Sequence, residues 1–479
     1  MIRALLAVAG AGWALVLAPP ALGATVEIAG GRIVFTAAPG EANAVSFALV
    51  GDPEGEDPAF VAVTDAGARI EAGEGCSTQA ENTVRCPHHV VRAHLGDGAD
   101  SLSCLDPGAC PGLRVLGGDG ADTITGTGFL RAYGEAGDDT LVGTGWLVEA
   151  FGGEGEDTIT VTGGVQWESA RLSADGGPGD DTIGAAATWA APVTLAGGPG
   201  DDSVGGTGPV VAHGEWGADR LSAATSFGGP GADTLVGSAE EDCFAGGRGD
   251  DRLVGGRASD RLFGGPGNDV VNGGAGSDDL TGGRGADRIR GGVGRHDTAY
   301  YRHNARPVSV TLDARPNDGS RNERDNVRGD VEAIVGSPRA DLLVGNARNN
   351  VLFGDDGDDV LLGRGGNDFL AGEGGADRLA GGPGNDILRG ASFSFRDDVL
   401  PDGSRRDTLR GGSGQDRLVS QDLGPDNLVD GGSGYDRAVV DRWVDPLSAV
   451  ERVFIEPWVV PWRDREPDDP PYPWRCGTD

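Results

Sequence analysis

The sequence predicts an all-β chain that folds as a parallel β-solenoid, and two observations predict it. The first is a phrase of nine residues, Gly-Gly-x-Gly-x-Asp-x-aliphatic-x, which recurs in unbroken register from Gly228 to Ala299. The second is a composition with 38% hydrophobic but only 6% aromatic residues, without helical periodicity beyond the first two dozen residues. A glycine turn followed by a short alternating triplet favours a narrow aliphatic stack over a large globular core.

The aliphatic position of each repeat is predicted to point inward, because successive side chains of a strand alternate between its two faces. Its neighbours are more often polar, as at Arg252, Arg261, Arg288 and Arg378. The inward positions are Leu235, Phe244, Leu253, Leu262, Val271, Leu280 and Ile289 in a first array, and Leu343, Leu352, Leu361, Leu370, Leu379 and Leu388 in a second.

A carboxylate recurs at the sixth position of the repeat, inside the glycine turn. Calcium takes about six to eight oxygen ligands at roughly 2.3–2.6 Å, and glycine allows a turn to direct its carbonyl oxygens toward one point. The spacing therefore predicts a stack of several Ca²⁺ sites. The predicted ligands are Asp122, Asp139, Asp157, Asp181, Asp202, Asp219, Asp233, Asp242, Asp251, Asp260, Asp269, Asp278, Asp287, Asp341, Asp359, Asp368, Asp377, Asp386, Asp416 and Asp436.

This nonapeptide resembles that of the RTX, or hemolysin-type, calcium-binding repeat proteins. The resemblance implies a parallel β-roll in which two nonapeptides make one turn and calcium lies between turns stacked on the same side. Ligands would then recur 18 residues apart, and Asn350 would weaken the site that it shares with Asp368. The implied pairs are Asp233 with Asp251, Asp242 with Asp260, Asp251 with Asp269, Asp260 with Asp278, Asp269 with Asp287, Asp341 with Asp359, Asp359 with Asp377, and Asp368 with Asp386.

The alternative is a glycine-rich low-complexity coil without a specific metal. Composition alone allows it, since 87 of the 479 residues are glycine. Such a coil would not keep the aspartate and the aliphatic residue in phase.

The chain begins with a predicted signal peptide, residues 1–24. Arg3 supplies the positive start, Ala4 to Leu17 is a short apolar run, and Gly23 or Ala24 suits cleavage. A membrane anchor is the alternative, although the run is short for a bilayer. Residues 25–94 follow as a β-rich cap segment. Its phrases Pro39-Gly40-Glu41-Ala42-Asn43, Val63-Thr64-Asp65-Ala66-Gly67, and Gly73-Glu74-Gly75-Cys76 with Cys86-Pro87 resemble the N-terminal segment of secreted calcium-binding proteins. Many RTX proteins instead leave the cell with an uncleaved C-terminal signal, so that export route does not fit this chain.

The motif is looser in residues 95–227. Its aspartates there, which include Asp100, lie 17 to 24 residues apart, close to one turn of two repeats. We interpret this region as an irregular solenoid with one row of metal sites and a metal-free opposite side.

The first array comprises residues 228–299, and its pattern breaks at Gly291, where His296 takes the carboxylate position and Asp297 comes one place late. An insert of residues 300–335 resembles the linker between RTX arrays. The second array covers residues 336–390, irregular repeats with Asp407 cover 391–449, and residues 450–479 are predicted to be a C-terminal cap with a Pro- and Trp-rich tail.

Six cysteines suit an exported protein. Cys76 with Cys86 and Cys104 with Cys110 are candidate disulfides. Cys243 is either exposed or paired with Cys476 in the tail, because sequence does not decide connectivity.

The formal net charge is −36, and all 39 basic residues are arginine. Such an acidic chain is a poor partner for nucleic acid or an anionic membrane surface. Beyond the signal, no segment is apolar enough to span a membrane. Calcium ions are therefore the expected partners.

No enzyme motif stands out, and we predict a non-enzymatic protein. His-Glu-x-x-His and Gly-x-Ser-x-Gly are absent from the sequence. His88, His89 and His94 lack the spacing of a zinc site, and Asp180 with Asp181 belongs to the calcium phrase.

The expected role is an extracellular or cell-envelope scaffold. One alternative is a calcium-dependent adhesin or glycan-binding module, suggested by Trp146, Trp167, Trp189 and Trp216. The other is a solenoid polysaccharide epimerase or lyase.

Overall fold

A computed structural model describes residues 23–50, 60–87, 90–106, 108–110, 112–163, 171–187, 193–391, 406–420, 428–440 and 447–455. These residues form strands and turns, and none of them is helical. The all-β, parallel β-solenoid prediction is thereby confirmed. Nearly all of the predicted signal peptide lies outside the described residues. The chain divides into two compact units, Met1–Gly145 and Trp146–Asp479.

The first unit combines antiparallel hairpins with the start of a parallel ladder. Arg32–Thr36 pairs antiparallel with Ala24–Ala29 and parallel with Val91–Asp97. Ala44–Val50 pairs antiparallel with Phe60–Asp65 and parallel with Ser101–Cys104. The strands up to the unit boundary are Ala24–Ala29, Arg32–Thr36, Ala44–Val50, Phe60–Asp65, Ile70–Ala72, Ser77–Ala80, Thr83–Pro87, Val91–Asp97, Ser101–Cys104, Leu113–Asp119 and Thr123–Ala136, followed by Thr140–Glu154.

The hairpin strands thus pair in parallel with the first solenoid strands. Ile33 and Phe35 of this segment are fully buried. This arrangement supports the proposed role of residues 25–94 as a cap, since an uncovered solenoid end would expose apolar side chains and strand hydrogen-bonding groups.

The described strands of the second unit form a ladder of short parallel strands, in which Val308–Thr311 also pairs antiparallel with Gly319–Ser320. Its strands are Thr158–Gly163, Arg171–Asp175, Thr182–Ala187, Val193–Pro199, Ser203–Thr207, Val210–Trp216, Arg220–Ser222, Thr225–Pro230, Thr234–Val236, Cys243–Arg248, Arg252–Arg257, Arg261–Pro266, Val270–Ala275, Asp279–Arg284, Arg288–Gly292, Thr298–Tyr300, Val308–Thr311, Gly319–Ser320, Asn326–Val327, Ala333–Val335, Leu342–Val344, Val351–Phe353, Val360–Leu362, Phe369–Glu373, Arg378–Pro383, Ile387–Ala391, Thr408–Gly414, Arg417–Ser420, Leu428–Gly434, Arg437–Val440, Leu447–Ser448 and Arg452–Ile455.

Two nonapeptides make one turn of this ladder. Leu253 is in register with Val271, and Val271 with Ile289, on one side of the solenoid. On the other side Phe244 is in register with Leu262, and Leu262 with Leu280. Alternate repeats therefore stack on the same side, as the resemblance implied.

The core is the predicted aliphatic stack. Every inward residue of the two arrays, from Leu235 to Ile289 and from Leu343 to Leu388, is at most 2% exposed. The outward neighbours Arg252, Arg261 and Arg288 are exposed. A single inward side chain per repeat is therefore enough to fill the space between the two sides.

The insert of residues 300–335 continues the ladder. Asn326–Val327 pairs in parallel with Arg288–Gly292, and Ala333–Val335 pairs with Thr298–Tyr300. Ala333–Val335 in turn pairs with Val351–Phe353 of the second array. The break at Gly291 is therefore a break in the sequence pattern and not in the sheet.

Both candidate disulfides are present, Cys76–Cys86 and Cys104–Cys110. Cys243 is also disulfide-bonded, so the exposed alternative is wrong. Its candidate partner Cys476 lies outside the described residues.

Candidate metal sites

The sixth-position aspartates stack into rows, and each row is joined by hydrogen bonds. The backbone N–H of Asp251 donates to Oδ1 of Asp269 at 2.8 Å, and that of Asp269 donates to Oδ1 of Asp287 at 2.8 Å. Asp242, Asp260 and Asp278 form a second row in the same way. The aspartates that the 18-residue spacing paired are therefore neighbours in space.

All the predicted ligands are at most 3% exposed. Their second oxygen, Oδ2, is buried as well, and in most turns no donor among the described residues reaches it. This holds for Asp122, Asp181, Asp202, Asp219, Asp233, Asp251, Asp260, Asp269, Asp278, Asp287, Asp359, Asp368, Asp377, Asp386, Asp416 and Asp436. A buried charged oxygen without a partner is costly, so a row of them calls for a cation.

The first glycine of the phrase is required by this carboxylate. A Cβ at Gly228 would overlap both Asp233 Oδ2 and the carbonyl oxygen of Gly246, which begins the next turn on that side. The same collision recurs at Gly246 with Asp251 Oδ2 and the Gly264 carbonyl oxygen. The carboxylate oxygen and a main-chain oxygen therefore converge on one glycine in these turns.

Burial raises the pKa of these carboxyls. The pKa rises to about 7 at Asp251 and Asp260, and to about 8 at Asp287 and Asp377, chiefly because burial disfavours the charged form. Neighbouring carboxylates raise it further, such as Asp269 at Asp251. Without a cation, neighbouring aspartates thus oppose one another's ionisation.

The donor set is suited to calcium. Among the described residues, no group of three or more His, Cys, Asp or Glu side chains is placed to hold a metal ion. In these rows carboxylate oxygens lie beside main-chain carbonyl oxygens, as where Asp233 Oδ2 and the Gly246 carbonyl oxygen converge on Gly228. Such an all-oxygen set matches calcium, whereas zinc prefers nitrogen and sulfur ligands.

One row runs through the irregular repeats of the second unit. The N–H of Asp157 donates to Asp181 Oδ1 at 2.7 Å, and this pattern continues through Asp202 and Asp219 to Asp233. The opposite row begins only at Asp242, where Ala224 occupies the preceding position and accepts the N–H of Cys243. This geometry supports the interpretation of a single row of sites there.

In the first unit, Asn43 and Asp100 begin a row with Asp122 and Asp139. Asp100 Oδ1 accepts the N–H of Asn43, and the N–H of Asp100 donates to Asp122 Oδ1 at 2.8 Å. Asp122 repeats the contact with Asp139 at 2.7 Å. Asp100 therefore shares the environment of the predicted ligands, although it was not among them.

The end of the first array uses acidic residues that the nonapeptide pattern misses. His296 has a φ of 77°, and this bulge places Asp297 in the row, where its Oδ1 accepts the N–H of Asp278 at 3.0 Å. Glu332 follows Asp297 in that row, and Asp325 follows Asp287 in the other. Only the one-place delay of Asp297 was visible in the sequence. Asp407, which follows Asp377, was visible as an irregular repeat.

The structure gives little support to a metal site at the histidines or to a catalytic role for Asp180 with Asp181. His94 is exposed, while His88 and His89 lie outside the described residues. Asp180 is exposed and Asp181 is buried in the row, as the calcium phrase predicts. Within the described part of the chain, no helix is long and apolar enough to cross a membrane.

These features define a parallel β-solenoid with rows of buried carboxylates in glycine turns. The family model of the RTX calcium-binding nonapeptide repeat matches residues 114–128, 197–225, 227–262, 263–295, 335–370, 362–393 and 395–421. The matched segments are therefore RTX calcium-binding nonapeptide repeats. No curated protein matches the chain at a significant level.

Proposed function

We propose that this chain is an exported protein that folds on binding several calcium ions between its stacked turns and serves as an extracellular or cell-envelope scaffold. One observation carries the proposal: buried Oδ2 atoms recur along the rows without a donor among the described residues. The sixth-position aspartates are the proposed ligands, together with carbonyl oxygens of the glycine turns. Taking one ion for each adjacent pair, the chain would hold about ten to fifteen ions.

The mechanism is the coupling of binding to folding. Without a cation, the folded chain places aspartates one above another, and burial together with the charge of Asp219 raises the pKa of Asp202 to about 7. Folding also costs the large conformational entropy of the glycine-rich turns. Calcium would neutralise the rows, so its binding free energy becomes folding free energy.

Export from the cell is consistent with this coupling of calcium binding to folding. The predicted signal peptide would direct the chain out of the cell, and the disulfide bonds of Cys76 with Cys86 and Cys104 with Cys110 suit an oxidising compartment. Where calcium is scarce the chain would remain unfolded and competent for export, and it would fold where calcium is plentiful.

Equilibrium dialysis with calcium, and separately with magnesium, tests the proposal. We expect many calcium ions per chain, with little magnesium bound, because magnesium demands a more rigid octahedral set and gives up its water reluctantly. One or no bound calcium ion would refute the proposal.

A glycan-binding role is the second candidate. Trp146 is 41% exposed and Trp216 is 66% exposed, and exposed aromatic rings can stack on sugars. Trp167 and Trp189 lie outside the described residues. A glycan array probed with and without calcium would show calcium-dependent binding if this candidate were correct. The epimerase or lyase alternative predicts turnover of uronate polymers, and no observation among the described residues favours it.

A further inference from the structure

The second array contains two kinds of turn, distinguished by the residue after the first glycine. In most turns this residue has a positive φ even where it is not glycine, as at Asp355 (75°), Arg364 (75°) and Glu373 (71°). Ser337 and Asn346 hold the same position in the first two turns of the array, and neither has a positive φ. The backbone therefore enters these two turns in another conformation.

In the first of these turns, protein donors satisfy the carboxylate. Ser337 donates its N–H to Asp341 Oδ2 and its hydroxyl to Asp341 Oδ1, the latter at 2.8 Å. Val308 donates its N–H to Asp341 Oδ1 at 2.8 Å. Both oxygens of this buried group thus have partners.

In the second turn, protein groups likewise satisfy the side chain at the sixth position, Asn350. Asn346 donates its N–H to Asn350 Oδ1 at 2.8 Å, and the side-chain amide of Asn350 donates to the carbonyl oxygen of Glu332 at 3.4 Å. The side chain of Asn350 is neutral, so this turn presents no anionic side-chain oxygen at the sixth position.

The next turn on each side is different. Asp359 and Asp368 each use Oδ1 to accept the N–H from the turn before, at 2.7 and 2.8 Å. Their Oδ2 atoms are buried and no donor among the described residues reaches them. The contrast between Asp341 and Asp359 therefore arises within one row, one turn apart.

Ser238, in the first array, also donates hydrogen bonds to the aspartate of its turn, but it satisfies only one of the two oxygens. It donates its N–H to Asp242 Oδ2 at 2.7 Å, with its hydroxyl 3.3 Å from the same oxygen. Asp242 begins its row, and its Oδ1 has no donor among the described residues. Among the described turns, the capping is complete only in the second array.

We infer that Ser337 and Asn346 take the place of the metal in the first turn on each side of the second array, so that its calcium-binding carboxylates begin at Asp359 and Asp368. The inference rests on the proposed calcium function and narrows it. Asp341 becomes a structural acceptor and not a ligand, and the weak site expected at Asn350 is not a site.

These closed turns adjoin an insert in which protein groups also satisfy some of the acids. Asp318 accepts the N–H groups of Thr311 and Val327 at 2.7 and 2.9 Å. Arg302 forms an ion pair with Asp355 at 3.0 Å. The second array would thus begin beside two acids, Asp318 and Asp355, that protein groups already satisfy.

The test compares Asp341→Asn with Asp359→Asn in the full mature chain. The number of calcium ions bound at saturating, millimolar calcium is counted by native mass spectrometry, and far-UV circular dichroism shows that each variant is folded. We expect Asp359→Asn to lose at least one ion and Asp341→Asn to keep the wild-type number. Loss of an ion in Asp341→Asn as well would overturn the inference, whereas an unchanged number in Asp359→Asn would overturn the proposed ligand rows themselves.

A third variant covers the case in which Asp341→Asn does not fold. Asn350→Ala removes the side-chain amide from the turn that Asn346 caps. We expect the wild-type number of ions, because the inference assigns no metal to this turn. Loss of an ion would show that this turn contributes to a site and would contradict the inference.

Discussion

Asp233 and Asp251 are neighbours in one row, joined by a 2.8 Å hydrogen bond from the N–H of Asp233 to Oδ1 of Asp251. This bond occupies one oxygen of Asp251 and leaves the other buried without a described donor. The same relationship recurs along the rows. It fixes the spacing of the turns and at the same time accumulates negative charge that the protein alone does not neutralise.

The metal-free chain is predicted to be more stable in mild acid than at neutral pH. Burial raises the pKa of Asp359 to about 7 and that of Asp287 to about 8 in the folded chain, from an ordinary value of 3.8. The folded chain therefore binds more protons than the unfolded chain between about pH 4 and pH 8. This contribution is complete below the ordinary value and is lost progressively as the pH rises from about 4 to about 8.

Far-UV circular dichroism in metal-depleted buffer from pH 4 to pH 8 checks the prediction. We expect β-structure to be lost as the pH rises, and calcium to abolish this dependence near neutral pH. A metal-free fold that gains stability between pH 5 and pH 8 would show that the buried aspartates do not govern it.

Gly249→Ala is predicted to destabilise the folded chain by about 2 kcal/mol or more. Gly249 has a φ of 127°, and a Cβ there would overlap the carbonyl oxygen of Gly231. Gly184 is the matched control, because it has no strained φ and nothing lies within 4 Å of a Cβ built on it. Urea unfolding in saturating calcium should separate the two variants, and equal midpoints would argue against close stacking of the turns.

Leu253→Ala is predicted to cost about 2–5 kcal/mol, since the residue is fully buried in the inward stack and its truncation leaves a cavity. Arg252→Ala changes the exposed neighbour on the same strand and should shift stability by no more than about 0.5 kcal/mol. Thermal unfolding in saturating calcium measures both. A larger effect at Arg252 would mean that the inward and outward faces are assigned the wrong way round.

Replacing both Cys76 and Cys86 with alanine is predicted to destabilise the first unit by about 2–3 kcal/mol. Their disulfide closes a sequence separation of 10 residues, and its loss frees that loop in the unfolded chain. Urea unfolding under non-reducing conditions compares the double variant with the wild type. Calcium stoichiometry serves as the control and should not change, because neither cysteine lies in a row.

The periodic part of the fold could be predicted from the sequence because each repeat encodes its own turn, its inward residue and its carboxylate. Leu253, Val271 and Ile289 were placed correctly by counting alone. The pairing of Asp251 with Asp269 followed from the 18-residue turn of the family that the repeat resembles.

The features that the sequence did not predict lie where the chain departs from the nine-residue repeat. Asp325 enters its row 38 residues after Asp287, by a path through the insert that no repeat encodes. Asp341 fits the phrase as well as Asp359 does, yet the backbone at Ser337 satisfies it with protein donors. Such differences depend on local backbone conformation, which a residue pattern at the sixth position does not report.

The most direct test of the central claim is far-UV circular dichroism of the mature chain at neutral pH, first in EDTA and then in millimolar calcium, with magnesium as the control. The account predicts a disordered spectrum in EDTA and in magnesium, and a β-rich spectrum only with calcium. A β-rich spectrum that EDTA leaves unchanged would contradict it, because the solenoid would then stand without metal.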